Sequence, residues 1–402
     1  MGRFDSHQRI LVTVQGPDHP GITATLTGLI ADGGGHLVDI EQVVLSGQLT
    51  LCFVIAVPRG PGTSVVKELL FAAKELGMEL DFKALDPHTT LPPIARRTYV
   101  VTLIGEVVDA SCIHELTSSL AQHGANLDAI KRLSDGDLSS LEIVISFDDD
   151  EEKAATLRKA LVTIAQARDV DLALQVEGVA RRSKRLVVLD MDSTLIRIEV
   201  IDELARAHGV YEQVADLTAA AMAGGMPYEE SLKKRVALLE GLPLATVMQI
   251  AGDPPLQDGA EALMRALKAL GLKTAVISGG FSFAAEALRA RLGLDYAYSN
   301  TLEVKGGKLT GRVVEPIVGP VRKADLLETI AQMERIPLEQ TIAIGDGAND
   351  LLMLERAGLG IAFHAKQKLK DAADTSLSSG GLDRILFLLG LREREVAELL
   401  RG

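Results

Sequence analysis

The chain has 402 residues, 47% of them apolar and 24% charged, with 42 Lys and Arg against 55 Asp and Glu for a formal charge of −13. That composition excludes a collagen-like or disordered chain, and at ~100–200 residues per domain it predicts about two to four domains, each with its own core. An acidic chain with 3% aromatic residues and no Trp also argues against a nucleic-acid partner, which calls for a basic stripe and rings that stack on bases.

No apolar run reaches the ~18–20 residues of a membrane helix, and the opening MGRFDSHQRI has no apolar signal segment, so neither a membrane partner nor export is expected and the expected location is the cytoplasm. Cys52 and Cys112 stand alone in apolar stretches, match no zinc spacing and read as unpaired core thiols. The charge is uneven: residues 1–180 carry 14 basic against 25 acidic groups, a net of −11, and residues 181–402 carry 28 against 30, a net of −2. Two functional halves are expected.

Residues 9–14 (RILVTV) predict a buried strand, GPDHPGI (16–22) a turn, and 23–32 an apolar-periodic helix that the glycines at 33–35 end. A strand pair follows at 36–44 and 48–57, then a helix at 64–76 and a strand at 79–84. The order βαββαβ returns with a strand at 98–105, a helix at 110–123, strands at 127–133 and 141–147, a helix at 151–168 and a strand at 171–176. At a shift of 90 residues Leu26 matches Leu116, Thr27 Thr117, Ala31 Ala121, Gly34 Gly124, Leu37 Leu127 and Ile40 Ile130, which marks an internal duplication. Segments 86–93 and 180–185 read as exposed linkers, and the acidic run 148–152 as a solvated helix start. His19 and His36 read as loop residues rather than metal ligands.

From Leu186 onward single apolar strands at 186–190, 274–280 and 340–347 are each followed by long helices, with a largely helical insert at about 200–255. Such βα units predict an α/β domain with a Rossmann-like parallel sheet and ligands at the carboxyl ends of its strands. The expected domains are therefore two α+β units at 1–88 and 95–178 and an α/β unit at 183–402.

The chemistry sits at those strand ends. The first runs straight into Asp190 and Asp192, a buried acid pair that a divalent cation would let stay ionised, with one acid as nucleophile and the other as proton shuttle. The second ends at Ser278, Gly279 and Gly280, a hydroxyl and backbone N–H groups suited to phosphate oxygens. The third brings Asp346, Asn349 and Asp350, hard oxygen donors of the kind Mg2+ takes. Lys323 opens another apolar helix and offers a cation to developing phosphoryl charge. Singly each has a plain alternative: an Asp after a strand is often a helix cap, SGG a turn, GDG a loop, and Lys323 a surface cation. Their order along the chain, each at a strand end or helix start, favours a site.

Together DMDSTLI (190–196), SGGF (278–281), Lys323 and GDGANDLLML (345–354) resemble the haloacid dehalogenase superfamily of phosphotransferases, and more narrowly its phosphoserine phosphatase branch. The resemblance covers about 186–390. It implies Mg2+-dependent hydrolysis of O-phospho-L-serine, the last step of serine biosynthesis, with Asp190 as nucleophile, Asp192 as acid and base, and Ser278 and Lys323 on the phosphoryl oxygens. It further implies Mg2+ on the Asp190 carboxylate, the Asp192 carbonyl and the Asp346 carboxylate, with Asp350 supporting that shell and Asn349 and Gly279 helping to hold substrate. In the insert it assigns the substrate ammonium to Glu199 and the carboxylate to Arg235, with Met222 and Tyr228 lining the cap. Without it, Glu199 reads as a helix-start acid and Arg235 as part of a basic face with Lys233 and Lys234.

The βαββαβ repeat with GPDHPGI in its first loop resembles the ACT domain, which implies an amino-acid effector, serine above all, at a loop holding Asp18 and Gly21, and a homodimer or larger homo-oligomer. The second copy has Gly105-Glu-Val-Val-Asp109 in place of that loop. Competing readings remain: transfer of the phosphoryl group to another alcohol, another phosphomonoester substrate, plain packing modules in place of sensors, and an amino-acid sensor with a silent catalytic half.

Overall fold

The computed structural model describes residues 7–58, 64–85, 96–136, 139–148, 150–222 and 225–401. The chain divides into two compact units, Met1–Pro93 and Ile94–Gly402.

In the first unit β1 (His7–Pro17), β2 (His36–Leu45), β3 (Gln48–Pro58) and β4 (Glu79–Leu85) form an antiparallel sheet in the order β2-β3-β1-β4. Helices Ile22–Asp32 and Ser64–Glu75 cover one face. Alternate residues of β1 and β3 meet helix residues at three- and four-residue spacing, so Val12, Leu26, Phe53 and Leu69 become fully buried. β1 runs past the expected 9–14 because Gln15, Gly16 and Pro17 continue the ladder with Thr50, Leu49 and Gln48. The turn contracts to Asp18–Gly21, where Gly21 at φ 102° starts the helix in a conformation that costs other residues strain. Asp18 N donates to the Gly47 carbonyl, and the His19 ring bonds the Pro20 and Leu76 carbonyls, as suits a loop residue, whereas His36 is no loop residue but the first of β2, opposite Ala56.

The second unit opens with the repeat: β5 (Arg96–Ile104), helix Ala110–Gln122, β6 (Asn126–Arg132), β7 (Ser140–Asp148), helix Glu151–Arg168 and β8 (Asp171–Val176), in the matching order β6-β7-β5-β8. Even a register irregularity recurs, between Leu37 and Asp39 in β2 and between Leu127 and Ala129 in β6. Asp150 caps its helix by accepting from Glu152 N and Lys153 N, which accounts for the acidic run. Both cysteines are free thiols, Cys112 buried and Cys52 half-buried.

The remaining strands are β9 (Leu186–Leu189), β10 (Lys273–Phe281), β11 (Tyr296–Lys305), β12 (Lys308–Val314), β13 (Thr341–Gly345), β14 (Gly360–Phe363) and β15 (Thr375–Leu377). They form one sheet in the order β12-β11-β10-β9-β13-β14-β15, parallel except for the β11–β12 hairpin. β9 is central and fully buried, so the chain leaving it emerges at the middle of the carboxyl edge. The insert is helical as expected, with Val200–His208, Tyr211–Met222, Tyr228–Ala237 and Leu244–Ala251. The hairpin packs against the third of these helices; its local sequence signal is the Gly306-Gly307 turn.

The segment 180–185 departs from expectation. It is no exposed linker: Arg181 is 6% exposed and bonds Glu142 of β7, while Lys184, 9% exposed, donates to the Glu339 carbonyl at 2.7 Å. These charges are buried because each meets a partner folded from distant sequence. The face of the second repeat left bare by its helices is covered by residues that follow β15, with Ile104 and Ala173 sharing a core with Leu382, Leu386 and Leu388. Segment 86–93 lies outside the described residues.

Candidate active site

Asp190 leaves the buried end of β9, anchored by its N–H to the Ile344 carbonyl of β13. Lys323, in the first turn of helix Pro320–Met333, is fully buried with its Nζ 2.8 Å from Asp190 Oδ1 and 2.6 Å from Asp350 Oδ1. Burial by itself would lower the Lys323 pKa, but the two carboxylates outweigh it and hold the ammonium above its ordinary value. Lys323 is therefore a permanent cation bridging two strand ends. Asp350 Oδ2 accepts from Gly347 N, which fixes the loop after β13.

Asp346 joins this group, with Thr194 Oγ1 donating to it at 3.0 Å. Asp190, Asp346 and Asp350 each place a carboxylate oxygen within 4.8 Å of the others. Burial first, then the neighbouring acids, pushes Asp346 up to about 8 and Asp350 up to about 7, and Lys323 opposes the rise at Asp350. Three clustered oxygen donors that repel one another, Asp190 and Asp350 buried and Asp346 half-buried, suit a hard dication, so the residues present fit Mg2+.

Asp192 is 9% exposed, its Oδ1 accepting from Val200 N at the start of the first cap helix. Burial, then Glu199 and Asp190, raises it well above the carboxylate range. Between them Ser193 adopts φ 57° and donates from Oγ to Glu199 Oε1 at 2.7 Å. Glu199 is raised by burial and by Asp190, with Ser193 and Arg235 opposing.

Across the sheet Ser278 Oγ accepts from Gly280 N at 2.8 Å. A Cβ on Gly280 would overlap Asp192 Oδ2, and one on Gly279 would overlap the Tyr228 hydroxyl, so Asp192 and Tyr228 take positions beside this loop that any larger residue would contest. Tyr228 donates from its hydroxyl to the Gly279 carbonyl at 3.2 Å, and burial pushes its phenol up to about 12. Asn349 is half-buried beside Gly347 in the turn Ala348–Asp350.

Arg235 separates from the basic face on which Lys233 and Lys234 lie. Those two are exposed and paired with Glu315 and Glu230. Arg235 is half-buried, its Nη1 3.5 Å from Thr218 Oγ1 and its Nε enclosed without a partner. The Met222 side chain lies outside the described residues.

Two contributors have no local signature. Thr194 belongs to the DMDST run, but its bond to Asp346 spans 152 positions. Asn300, fully buried in β11, donates to the Gly279 carbonyl at 2.8 Å and accepts from Val318 N at 2.7 Å, which ties the SGG loop to the entry of the Lys323 helix. A buried, doubly bonded Asn reads in sequence as an ordinary polar strand residue.

Residues 184–358 match the haloacid dehalogenase-like hydrolases, and 8–83 and 97–175 each match the ACT domain. The chain is 40% identical over 390 residues to phosphoserine phosphatase SerB2 of Mycobacterium tuberculosis, covering 96% of this chain and 94% of that protein. It is 41% identical over 387 residues to the phosphoserine phosphatase of Streptomyces coelicolor, covering 96% and 93%. Among solved structures, a haloacid dehalogenase family hydrolase from Salmonella enterica serovar Typhi aligns at TM-score 0.63 and 29% identity over 72% of this chain and 98% of that one. The unliganded probable phosphoserine phosphatase from Vibrio cholerae aligns at 0.56 and 32% over 76% and 88%. The chain belongs to the phosphoserine phosphatase family of haloacid dehalogenase-like hydrolases.

Proposed function

We propose that this chain hydrolyses O-phospho-L-serine to L-serine and phosphate in two steps through an aspartyl phosphate on Asp190, the last reaction of serine biosynthesis. The observation that carries the reading is the buried Asp190–Lys323–Asp350 bridge with Asp346 beside it. Asp190 attacks phosphorus, aimed by Lys323, whose charge also opposes that building on the phosphoryl oxygens. Ser278 and the Gly279 backbone bind those oxygens, and Asn349 holds substrate. Asp192 gives its proton to the departing serine oxygen and then takes one from the water that cleaves the aspartyl phosphate. Mg2+ held by Asp190, the Asp192 carbonyl and Asp346, with Asp350 in support, would supply charge neutralisation at phosphorus.

Glu199 receives the substrate ammonium and Arg235 the carboxylate. The enclosed, unpartnered Nε of Arg235 supports this role, since a buried guanidinium nitrogen calls for an acceptor. The helical insert closes over the site during the first step and admits water for the second. The domains run 1–88, 95–178 and 183–402, with the cap at about 200–255. Serine acts as effector at the loop holding Asp18 and Gly21, in a cytoplasmic homodimer or larger homo-oligomer. No helix among the described residues is long and apolar enough to cross a membrane.

The test is Asp190→Asn, purified and shown folded by circular dichroism. It is expected to release no phosphate from phosphoserine with Mg2+ present, and release at the parent rate would rule the assignment out.

A further inference from the structure

Away from the catalytic centre the second unit encloses a cavity of about 230 Å³ between helix Glu151–Arg168, β8 and the segment 370–378 that carries β15. Two sheet edges meet there: Thr375 Oγ1 donates to the Leu172 carbonyl at 3.4 Å and Ser378 N to Asp171 Oδ1 at 2.7 Å. The floor is apolar, with Leu161, Leu172 and Ala373 all buried. Two cations, Arg158 and Lys370, stand on the walls, both half-buried.

Their hydrogen-bonding capacity is largely unspent. Arg158 Nε is buried without a partner. Among the described residues Lys370 Nζ donates to Ser378 Oγ alone, at 2.7 Å. Of the acids nearby, Asp374 is engaged through Oδ2 with Gly360 N, and Asp169 is exposed at the end of its helix. Asp169 and Asp374 line the same pocket, but the two cations carry unspent donors, one of them a planar fork, and such donors are complementary to a carboxylate or phosphate oxygen pair. The apolar floor decides between them: inorganic phosphate would leave it in contact with water or a bare anion, whereas a carboxylate on a short apolar body covers it.

We infer that this cavity binds a small organic carboxylate, with its carboxylate on Arg158 and Lys370 and its body on Leu161 and Ala373. Its occupant touches both the second repeat and the edge of the catalytic sheet. Because β15 pairs with β14 and β14 with β13, which leads into Asp346, the site lies on the same ladder of strands as the catalytic acids.

Isothermal titration of the full-length protein with propionate, butyrate and 3-methylbutyrate, and separately with inorganic phosphate, tests this without reference to turnover and without an amino group that the proposed effector loop could take. At least one of the three carboxylates is expected to bind at about millimolar concentration or below. Its affinity should fall by about tenfold or more in Arg158→Met and by a smaller factor in Lys370→Gln, and should be unchanged in Asp18→Ala. Lys370→Gln removes a half-exposed cation and carries the test should Arg158→Met fail to fold. No heat from any carboxylate at about 10 mM, heat indifferent to both substitutions, or heat abolished by Asp18→Ala would each overturn the proposal. Binding of phosphate alone would overturn the ligand class.

Discussion

Asp171 offers a quantitative test of how the second repeat meets the catalytic sheet. It is 2% exposed, accepts from Ser378 N through Oδ1, and leaves Oδ2 buried without a partner. Burial lifts its pKa from 3.8 to about 6, against the opposing bonds from Ser378. A carboxyl whose folded pKa lies above its unfolded one is protonated more readily in the folded state, so folding bears no ionisation cost below the unfolded value and the full cost above the folded one. A rise of about two units at 1.36 kcal/mol each gives a penalty of about 3 kcal/mol at pH 7.5, falling to about half of that near pH 5. Asp171→Asn keeps the acceptor for Ser378 and cannot ionise. It should therefore be more stable than the parent by up to about 3 kcal/mol at pH 7.5, with the advantage shrinking by about half at pH 5. Parallel urea titrations of both proteins at the two pH values measure it, and taking the difference cancels the catalytic carboxylates that also titrate there. A variant no more stable than the parent at pH 7.5, or an advantage indifferent to pH, would refute the reasoning.

Three further outcomes are expected. Arg235→Ala should lower kcat/KM on phosphoserine by about a hundredfold while barely touching phosphoethanolamine, which lacks the carboxylate; equal losses would remove Arg235 from substrate recognition. Asn300→Ala strands Val318 N in a buried place and leaves the Gly279 carbonyl only the Tyr228 hydroxyl, and should cost about 1–3 kcal/mol of stability along with phosphatase activity, read by denaturant titration and phosphate release. Chelation with EDTA should stop turnover and lower the thermal midpoint, since Lys323 alone then opposes the mutual repulsion of Asp190, Asp346 and Asp350, and added Mg2+ should restore both.

The sequence exposed those parts of the fold in which a local pattern and a tertiary role coincide. A buried parallel strand has to be a short apolar run, so a polar residue at its end stands out, and Asp190, Ser278 and Asp346 were legible for that reason. The duplication was legible because both copies bury the same helix positions, Leu26 with Ile30 and Leu116 with Leu120. What local pattern cannot carry is pairing across long separations. Glu142 and Arg181 look like two surface charges until the chain brings them together, and Asn300 looks like any polar strand residue until Gly279 and Val318 arrive on either side. Arg235 is an intermediate case: its neighbours Lys233 and Lys234 share its charge, and only the turn of the helix separates the two that face water from the one that faces inward.

The docking of the second repeat bears on where this polypeptide can be cut. Ile104 and Ala173 complete the core that holds Leu382, Leu386 and Leu388, Gln175 donates to the Leu388 carbonyl, and Asp135 N is bonded to Glu393 near the chain's end. A fragment beginning at residue 183 would carry every residue proposed for the active site and yet bare the apolar wall that the second repeat covers. Such a fragment is expected to aggregate or borrow a substitute surface, so the repeat acts as scaffolding for the hydrolase and is not a detachable accessory.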